Sequence, residues 1–247
     1  KYTPDWVERT TLWAQSSHRE VSYALCNDRR TLLWYANQRA VEYHPALIRA
    51  GQMRTTHLIL DLDPPPGDDF GHVVRAAGLV RRALDDSGLS GAVKTSGSKG
   101  IHVFVPLEEK VDIWDAAAAT RAIAARAERL GPDIATTAFI KEDREGKVFL
   151  DSTRSGGATV VAAYSPRVRP GLPVSFPVGW DELENVTPAD FTVHTAVERL
   201  GDGDPWRAQM PEPQELPADL LEEGHAIPIA RVQAMHEGKR RARARRQ

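Results

Sequence analysis

The chain has 247 residues, of which 41% are hydrophobic, and a formal net charge of −2. This composition predicts a folded protein with a substantial core. It excludes a membrane-spanning helix, because apolar runs such as Ala116–Ala119 are far shorter than the roughly 20 residues needed. Without a signal-peptide pattern, a cytoplasmic location is expected. The sequence contains one cysteine, Cys26, which is expected in the core. A single cysteine excludes an intramolecular disulfide and a cysteine-rich zinc site. Any bound metal would therefore need oxygen or imidazole ligands.

Positive charge is concentrated at the end of the chain. Six basic residues lie within Lys239–Arg246. Because the whole chain has a net charge of −2, the remainder of the chain has a net charge of −8. A segment with so many positive charges is not expected to pack against the folded domain. Residues 238–247 are therefore predicted to be a disordered tail. The tail either gathers nucleic-acid phosphates by counterion release or is solvated without a partner. Residues 1–237 are predicted to form one folded domain.

The first predicted elements are two strands and a helix. Strand-like composition covers Thr10–Ala14 and Glu20–Cys26, and Asp28 is the predicted N-cap of the helix that follows. The next strand, His57–Asp63, is apolar until it ends in two carboxylates. Three prolines follow directly, and they must leave the sheet because proline cannot donate a hydrogen bond to a neighbouring strand.

The middle of the chain alternates between helices and strands. Apolar spacing predicts a helix over Phe70–Ser87, with Asp68 or Asp69 near its cap. A strand over Ile101–Val105 and a helix over Ile113–Leu130 follow. This alternation predicts a mixed α/β fold.

The last third of the chain has weaker signals. Strands are predicted over Lys147–Leu150 and Ala158–Ala163. Thr187 followed by a proline and an acidic residue predicts the start of a helix that ends at Gly201. The proline-rich segment Pro205–Pro217 is predicted to be a surface connection.

Acidic residues end two of the predicted strands. Asp61 and Asp63 are two apart on a strand, so their side chains emerge on the same face, about 7 Å apart at the backbone. Carboxylates so placed can bind hard divalent ions such as Mg²⁺ and Mn²⁺, although two acids at a strand end can also be merely solvated. Asp151 ends another apolar strand and is followed by Arg154. Together these residues predict a site for metal and triphosphate.

The turn between Thr95 and His102 combines small, hydroxyl and cationic residues. Its glycines allow backbone N–H groups to approach phosphate, and Lys99 supplies positive charge. The turn lacks the spacing and the following helix of a Walker A loop. His102, taken alone, is more typical of a core histidine.

Three segments carry a resemblance to a known family, and they occur in the order described. They are the strand end Leu58–Pro64, the turn Thr95–His102, and the block Asp151–Arg154 with its continuation Ala163–Gly171. From Lys1 to about Leu183 the chain resembles the polymerase domain of bacterial DNA ligase D, a member of the archaeo-eukaryotic primase superfamily. The resemblance implies an α+β fold whose mixed or antiparallel sheets are flanked by helices.

The resemblance also implies roles for individual residues. Asp61, Asp63 and Asp151 would be the catalytic residues and would bind two divalent ions, Mn²⁺ or Mg²⁺. The residues implied to contact the nucleotide are His44, Ser96, Lys99, His102, Arg154 and Arg167.

The chain departs from the family pattern at several positions. Where relatives have an aromatic residue, an asparagine and a proline, this chain has Ser152, Ser155 and Ala163. Lys1–Trp6 resembles a segment that lies well inside the family domain, so an N-terminal portion is expected to be missing. In relatives that portion holds the 5′-phosphate across a gap, so this recognition is not carried over.

The resulting function hypothesis is a metal-dependent nucleotidyltransferase that adds NTPs or dNTPs to a 3′-hydroxyl end. Its expected partners are DNA with gapped or broken ends, a DNA ligase and an end-binding protein. No membrane association is expected, and the expected location is the cytoplasm, at the nucleoid. One alternative is a phosphatase with an aspartyl nucleophile, although that class normally has a threonine where this chain has Pro65. Another alternative is a non-catalytic nucleic-acid-binding accessory protein.

Overall fold

The structure of the protein is a computed structural model. The structure describes residues 3–14, 18–52, 54–67, 69–156 and 158–229. Asp68 and the predicted tail over residues 238–247 lie outside the described residues. Within the described part of the chain, no helix is long and apolar enough to cross a bilayer.

The described strands form a two-stranded hairpin and a six-stranded sheet. The sheet order is β6-β7-β3-β5-β4-β8, with β6 parallel to β7 and the other pairs antiparallel. The mixed α/β fold expected from the sequence is therefore confirmed. The strands are β1 (Arg9–Ala14), β2 (Arg19–Ala24), β3 (His57–Asp63), β4 (Ala92–Thr95), β5 (Ile101–Pro106), β6 (Ala135–Thr136), β7 (Val148–Asp151) and β8 (Pro177–Val178).

The helices begin at the caps that the sequence predicts for the first half of the chain. Asp28, Asp69 and Asp112 each accept a hydrogen bond from a backbone N–H in the first turn, which satisfies a donor that the helix itself leaves open. The helices are α1 (Arg29–Asn37), α2 (Phe70–Asp85), α3 (Ile113–Leu130), α4 (Ala196–Leu200), α5 (Pro205–Gln209) and α6 (Ala218–Ala226).

The two faces of the sheet have different coverings. Leu58, Leu60 and Leu62 of β3 pack with the apolar faces of α2 and α3 in the main core. The alternate residues of β3 point the other way, because successive strand side chains lie on opposite faces. On that second face Ile59 belongs to a small cluster with Phe104, against which Trp206 packs. The end of β3 beyond this cluster carries the two carboxylates.

One sequence prediction about strands was wrong, and one strand of the sheet was not predicted. Ala158–Ala163 is not a strand of the sheet; it makes a single bridge to Ala46 and backbone hydrogen bonds to the segment around Pro45. A ladder cannot propagate there because proline has no N–H. The short strand β4 was not predicted, because Lys94 and Thr95 interrupt its apolar pattern even though both are fully buried.

The helix predicted from Thr187 to Gly201 is divided in the structure. Thr187 and Asp190 do form the expected capping box, but they cap only a 3-10 turn. Phe191 ends the turn because its ring stacks on Phe176 and its carbonyl accepts a hydrogen bond from Val174. Tertiary contacts here outweigh the local helical pattern.

Two further expectations also differ from the structure. Cys26 is exposed rather than part of the core. The segment Pro205–Pro217 is a connection, as expected, but it includes α5, and Trp206 packs edge-on against Phe104 of the sheet. An amphipathic aromatic residue can thus anchor a proline-rich segment onto a sheet.

Candidate active site

Four polar residues form one row across the sheet. In the strand register, Asp61 lies opposite Asp151 on one side and His102 on the other, and His102 lies opposite Lys94. Directly opposed residues of antiparallel strands share a face and lie close together. The order Asp151, Asp61, His102, Lys94 therefore crosses β7, β3, β5 and β4, and all four residues are buried.

Asp63 adds a third carboxylate to this face, two residues beyond Asp61. Burial raises the pKa of Asp63, and the negative charges of Asp61 and Asp151 raise it further, to about 6. Burial also acts to raise the pKa of Asp61, but its contacts with His102 and Arg154 bring that pKa below the ordinary value. The cluster is therefore short of positive charge at Asp63.

Arg154 supplies the cation nearest to two of the carboxylates. Its Nε and Nη2 lie 3.2 Å from Oδ2 of Asp61, and its Nε lies 3.4 Å from Oδ2 of Asp151. The other oxygen of Asp151 accepts hydrogen bonds from the backbone N–H and the hydroxyl of Thr153, at 2.8 and 2.6 Å. The turn from Asp151 to Arg154 thus holds the Arg154 guanidinium beside the carboxylates of Asp61 and Asp151.

Ser155 attaches the turn to the sheet. Its Oγ accepts a hydrogen bond from the Ile59 N–H at 3.0 Å and lies 3.3 Å from the Ile59 carbonyl. Thr120 of α3 also contacts this hydroxyl, at 2.7 Å. Ser155 thus bonds the backbone of β3 and helps to position Arg154.

We predict that Asp63→Asn raises the unfolding midpoint of the metal-free protein by a few degrees at pH 7–8. A carboxyl group whose pKa is raised on folding destabilises the native state above that pKa, and the penalty disappears as pH falls from about 6 toward the unfolded-state value near 4. The stabilisation should therefore shrink between pH 6 and 4. Thermal unfolding in a chelator across this range measures it.

The matched control is Asp202→Asn, which changes an exposed carboxylate outside the row. Its effect should be small and should not follow the same pH profile. A stabilisation by Asp63→Asn that persists unchanged at pH 4 would contradict the assigned electrostatics.

The loop between β4 and β5 is organised around Ser96. The Ser96 Oγ accepts hydrogen bonds from the N–H groups of Gly100 at 3.1 Å and Ser98 at 3.3 Å, and the Ser96 N–H donates to the Gly100 carbonyl. Gly97 has φ +66°, and a Cβ at Gly100 would lie 2.4 Å from the Leu62 carbonyl oxygen. Glycine is required there because the loop backbone touches β3 between its two aspartates. Lys99 is exposed and forms no ion pair with the described residues.

Glu42 connects two of the predicted nucleotide residues. Its Oε2 lies 3.1 Å from His44 Nε2 and 3.3 Å from Arg167 Nε, while its Oε1 accepts a hydrogen bond from the Val168 N–H at 2.6 Å. Arg167 also donates to the Ser96 carbonyl, at 2.6 Å. His44, Arg167 and Ser96 are thus joined into one wall, although they are far apart in the sequence.

His102 has both ring nitrogens within hydrogen-bond distance of charged side chains. Its Nε2 lies 3.2 Å from Asp61 Oδ1, and its Nδ1 lies 2.9 Å from Lys94 Nζ. Burial and the Lys94 charge lower its pKa to about 4. The ring is therefore neutral at pH 7, and the structure places it beside a carboxylate. Its predicted contact with triphosphate stays a prediction.

Sequence reasoning missed Glu42, Lys94 and Arg144. Arg144 lies with its guanidinium 3.7 Å from the ring centroid of Phe149, the residue that pairs with Asp63, and donates to two carbonyls of its own segment. A lysine within an otherwise apolar strand was the available signal for Lys94. No local pattern distinguishes Glu42 or Arg144 from other surface charges.

The carboxylate donor set fits hard divalent ions, which prefer oxygen ligands. Asp61 and Asp151 share Arg154 in this structure. Among the described residues, no three or more His, Cys, Asp or Glu side chains converge as they stand on a point that could hold a metal ion. The chemistry of the ligands suits such an ion, and the charges of Arg154 and Arg144 do not offset the burial and negative charge that raise the pKa of Asp63.

Comparisons with known proteins identify the family to which the chain belongs. Residues 1–206 match the family described as the LigD primase-polymerase domain. The Bifunctional non-homologous end joining protein LigD of Bacillus subtilis is 33% identical over 202 residues, which cover 81% of this chain and 32% of that protein. The multifunctional LigD of Mycobacterium tuberculosis is 34% identical over 214 residues, covering 81% of this chain and 28% of that protein. This chain thus spans about a third of the length of these relatives.

A solved structure extends the likeness to three dimensions. The polymerase domain of Mycobacterium tuberculosis ligase D, in complex with DNA, superposes with a TM-score of 0.73 at 32% identity, covering 83% of this chain and 75% of that one. Family, sequence relatives and fold agree along the segment that carries the aspartates and the Ser96–Gly100 loop. The chain belongs to the LigD primase-polymerase domain family, which consists of polymerases and primases of the nucleotidyltransferase type.

Proposed function

We propose that this chain is a metal-dependent nucleotidyltransferase that adds NTPs or dNTPs to a 3′-hydroxyl end of DNA, in non-homologous end joining or gap repair. The observation that carries the proposal is that Asp61, Asp63 and Asp151 lie on the same face of neighbouring strands of the sheet. The backbone of the Ser96–Gly100 loop contacts β3 at Leu62, between the first two of these carboxylates. A site with three acids beside a glycine-containing loop suits a metal–triphosphate substrate.

Asp61, Asp63 and Asp151 are the proposed ligands of two divalent ions, Mg²⁺ or Mn²⁺. When bound, the ions would activate the attacking hydroxyl and neutralise charge on the phosphates. The raised pKa of Asp63 supports the assignment, because a nearby cation favours the ionised carboxylate. In this structure the guanidinium of Arg154 supplies positive charge to Asp61 and Asp151. We propose that Arg154 turns toward the nucleotide phosphates when the ions are present.

The protein residues contribute positioning and electrostatic stabilisation. His44, Ser96, Lys99, His102 and Arg167 are the proposed nucleotide contacts. Arg167 is held by Glu42 and by the Ser96 carbonyl, so it enters the reaction already oriented. No protein nucleophile is needed, because in-line phosphoryl transfer is accelerated by alignment and by stabilisation of charge on the transferring group.

The proposed partners follow from the relatives. The solved polymerase domain was determined with DNA, and the curated relatives are named as non-homologous end joining proteins. We propose that this chain acts on primer-template, gapped or broken DNA together with a ligase activity and an end-binding protein, at the nucleoid in the cytoplasm. The cationic segment Lys239–Arg246, outside the described residues, is a candidate for additional phosphate contacts.

Extension of a labelled primer-template, and of a gapped duplex with a 5′-phosphate, tests the proposal directly. NTPs and dNTPs are supplied separately with Mg²⁺, with Mn²⁺ or with a chelator. Incorporation that requires a divalent ion and a 3′-hydroxyl is the expected result. The same primer with a 2′,3′-dideoxy end is the matched control, because it binds similarly but cannot be extended.

The alternatives give different results in the same assay. Release of inorganic phosphate from a simple monoester without incorporation would favour the aspartyl phosphatase, although the family match over residues 1–206 already argues against that class. DNA binding that is independent of metal, with no turnover, would favour the accessory protein and overturn the proposed activity.

A further inference from the structure

A lysine without a role in the proposed reaction lies at the end of the polar row. Lys94 of β4 is fully buried, with 0% of its surface exposed. Burial lowers its pKa to about 7, and the charge of Arg167 contributes in the same direction. A lysine is almost never fully buried without specific partners, because the ammonium group loses its hydration.

The partners of Lys94 determine the direction of its hydrogen bonds. The Ser175 hydroxyl donates to the Thr95 carbonyl at 2.8 Å, so its oxygen accepts from the Lys94 ammonium group. The second contact of Lys94 Nζ is His102 Nδ1, at 2.9 Å. Below its pKa of about 7, Lys94 is an ammonium group, which has donors only. Nδ1 of His102 must therefore accept, which leaves the ring proton of neutral His102 on Nε2.

The proton on Nε2 faces the first aspartate of β3. His102 Nε2 lies 3.2 Å from Asp61 Oδ1, so His102 donates to this oxygen. The other oxygen, Oδ2, faces Arg154 at 3.2 Å. The hydrogen-bonded series Lys94–His102–Asp61 thus contacts one carboxylate oxygen of Asp61, and Arg154 contacts the other. A second residue that orients a histidine in this way is a common support for metal and catalytic sites.

We infer that Lys94 is a positioning residue, which holds His102 as the Nε2–H tautomer and thereby fixes the orientation of the Asp61 carboxylate for nucleotide addition. This inference rests on the proposed function for its catalytic consequence. The hydrogen-bonded chain itself can be tested without any activity. A purely structural role is disfavoured because an apolar side chain would fill the same volume without the cost of burying an ammonium group.

The first test is the tautomer of His102. Two-bond ¹H–¹⁵N spectra of the histidine-labelled, metal-free protein distinguish a protonated ring nitrogen from an unprotonated one, and the spectrum of His102→Gln assigns the signals. At about pH 6, below the pKa of Lys94, the expected result is Nε2–H with an unprotonated Nδ1. The Nδ1–H tautomer in the wild-type protein would overturn the inference, whatever the folding of any variant.

The second test compares two substitutions in the same buried cluster. Lys94→Met keeps an unbranched side chain as far as Cε but removes the donor, and it is expected to lose the single tautomer and to lower kcat about ten- to a hundredfold, with a smaller change in nucleotide KM. Ser175→Ala is the matched control, because it removes the other partner of Lys94 and leaves the bond to His102. It should keep the tautomer and most of kcat.

The outcomes separate this inference from the proposed function. A Lys94→Met protein that folds, judged by its unfolding midpoint, and keeps both the Nε2–H tautomer and its kcat would overturn the positioning role. A wild-type protein with the expected tautomer but no nucleotide incorporation would overturn the proposed function and support the Lys94–His102–Asp61 chain.

Discussion

Asp61→Asn is expected to lower the rate of nucleotide incorporation by at least about a thousandfold, equivalent to roughly 4 kcal/mol of transition-state stabilisation. Asparagine has nearly the same shape and can still accept from His102. It lacks the negative charge that a divalent ion requires and that Arg154 now contacts. Primer extension under single-turnover conditions in Mg²⁺ and in Mn²⁺ measures the loss.

The control for this experiment is Asp202→Asn, which removes one carboxylate at an exposed position and should retain full activity. Circular dichroism and the unfolding midpoint establish that the Asp61→Asn protein is folded. Retention of more than a tenth of the wild-type rate by a folded Asp61→Asn protein would show that Asp61 does not hold a reacting ion.

Gly100→Ala is expected to lower incorporation by about a hundredfold, because displacement of reacting groups by about an ångström can have an effect of this size. The added Cβ would lie 2.4 Å from the Leu62 carbonyl oxygen, which belongs to backbone and cannot rotate away. The loop or the end of β3 must therefore move, and both Ser96 and the two aspartates of β3 lie there. Overpacking of this kind also lowers the free energy of unfolding by about 1–3 kcal/mol.

Gly78→Ala is the matched control for the added methyl group. Gly78 lies within α2, and a Cβ there meets no atom within 4 Å. Alanine is favoured over glycine inside a helix by about 1 kcal/mol, so this variant should be unchanged in activity and slightly more stable. Equal activity of the Gly100→Ala and Gly78→Ala proteins would contradict the close approach of the loop to β3.

Local sequence patterns were sufficient for the elements that carry the candidate site. The apolar strand His57–Asp63 and the capped helices α2 and α3 follow from periodicity and capping residues, which act over a few neighbouring positions. The spacing of Asp61 and Asp63 places them on one face for the same local reason. Asp151 was grouped with them as another acid at the end of an apolar strand, but its pairing with Asp61 was not predicted, since pairing between distant strands leaves no local pattern.

The tertiary structure alone decided which groups meet around those carboxylates. Lys94 reaches His102 through the pairing of β4 with β5, and Glu42 joins His44 to Arg167 because segments far apart in the sequence fold together. The same long-range packing stopped the predicted helix at Phe191. Composition and periodicity thus determined the fold class and the acidic strand end, because these depend on near neighbours. Strand register and long-range contacts determined the charge balance and the hydrogen-bond directions of the site, because those depend on residues far apart in the chain.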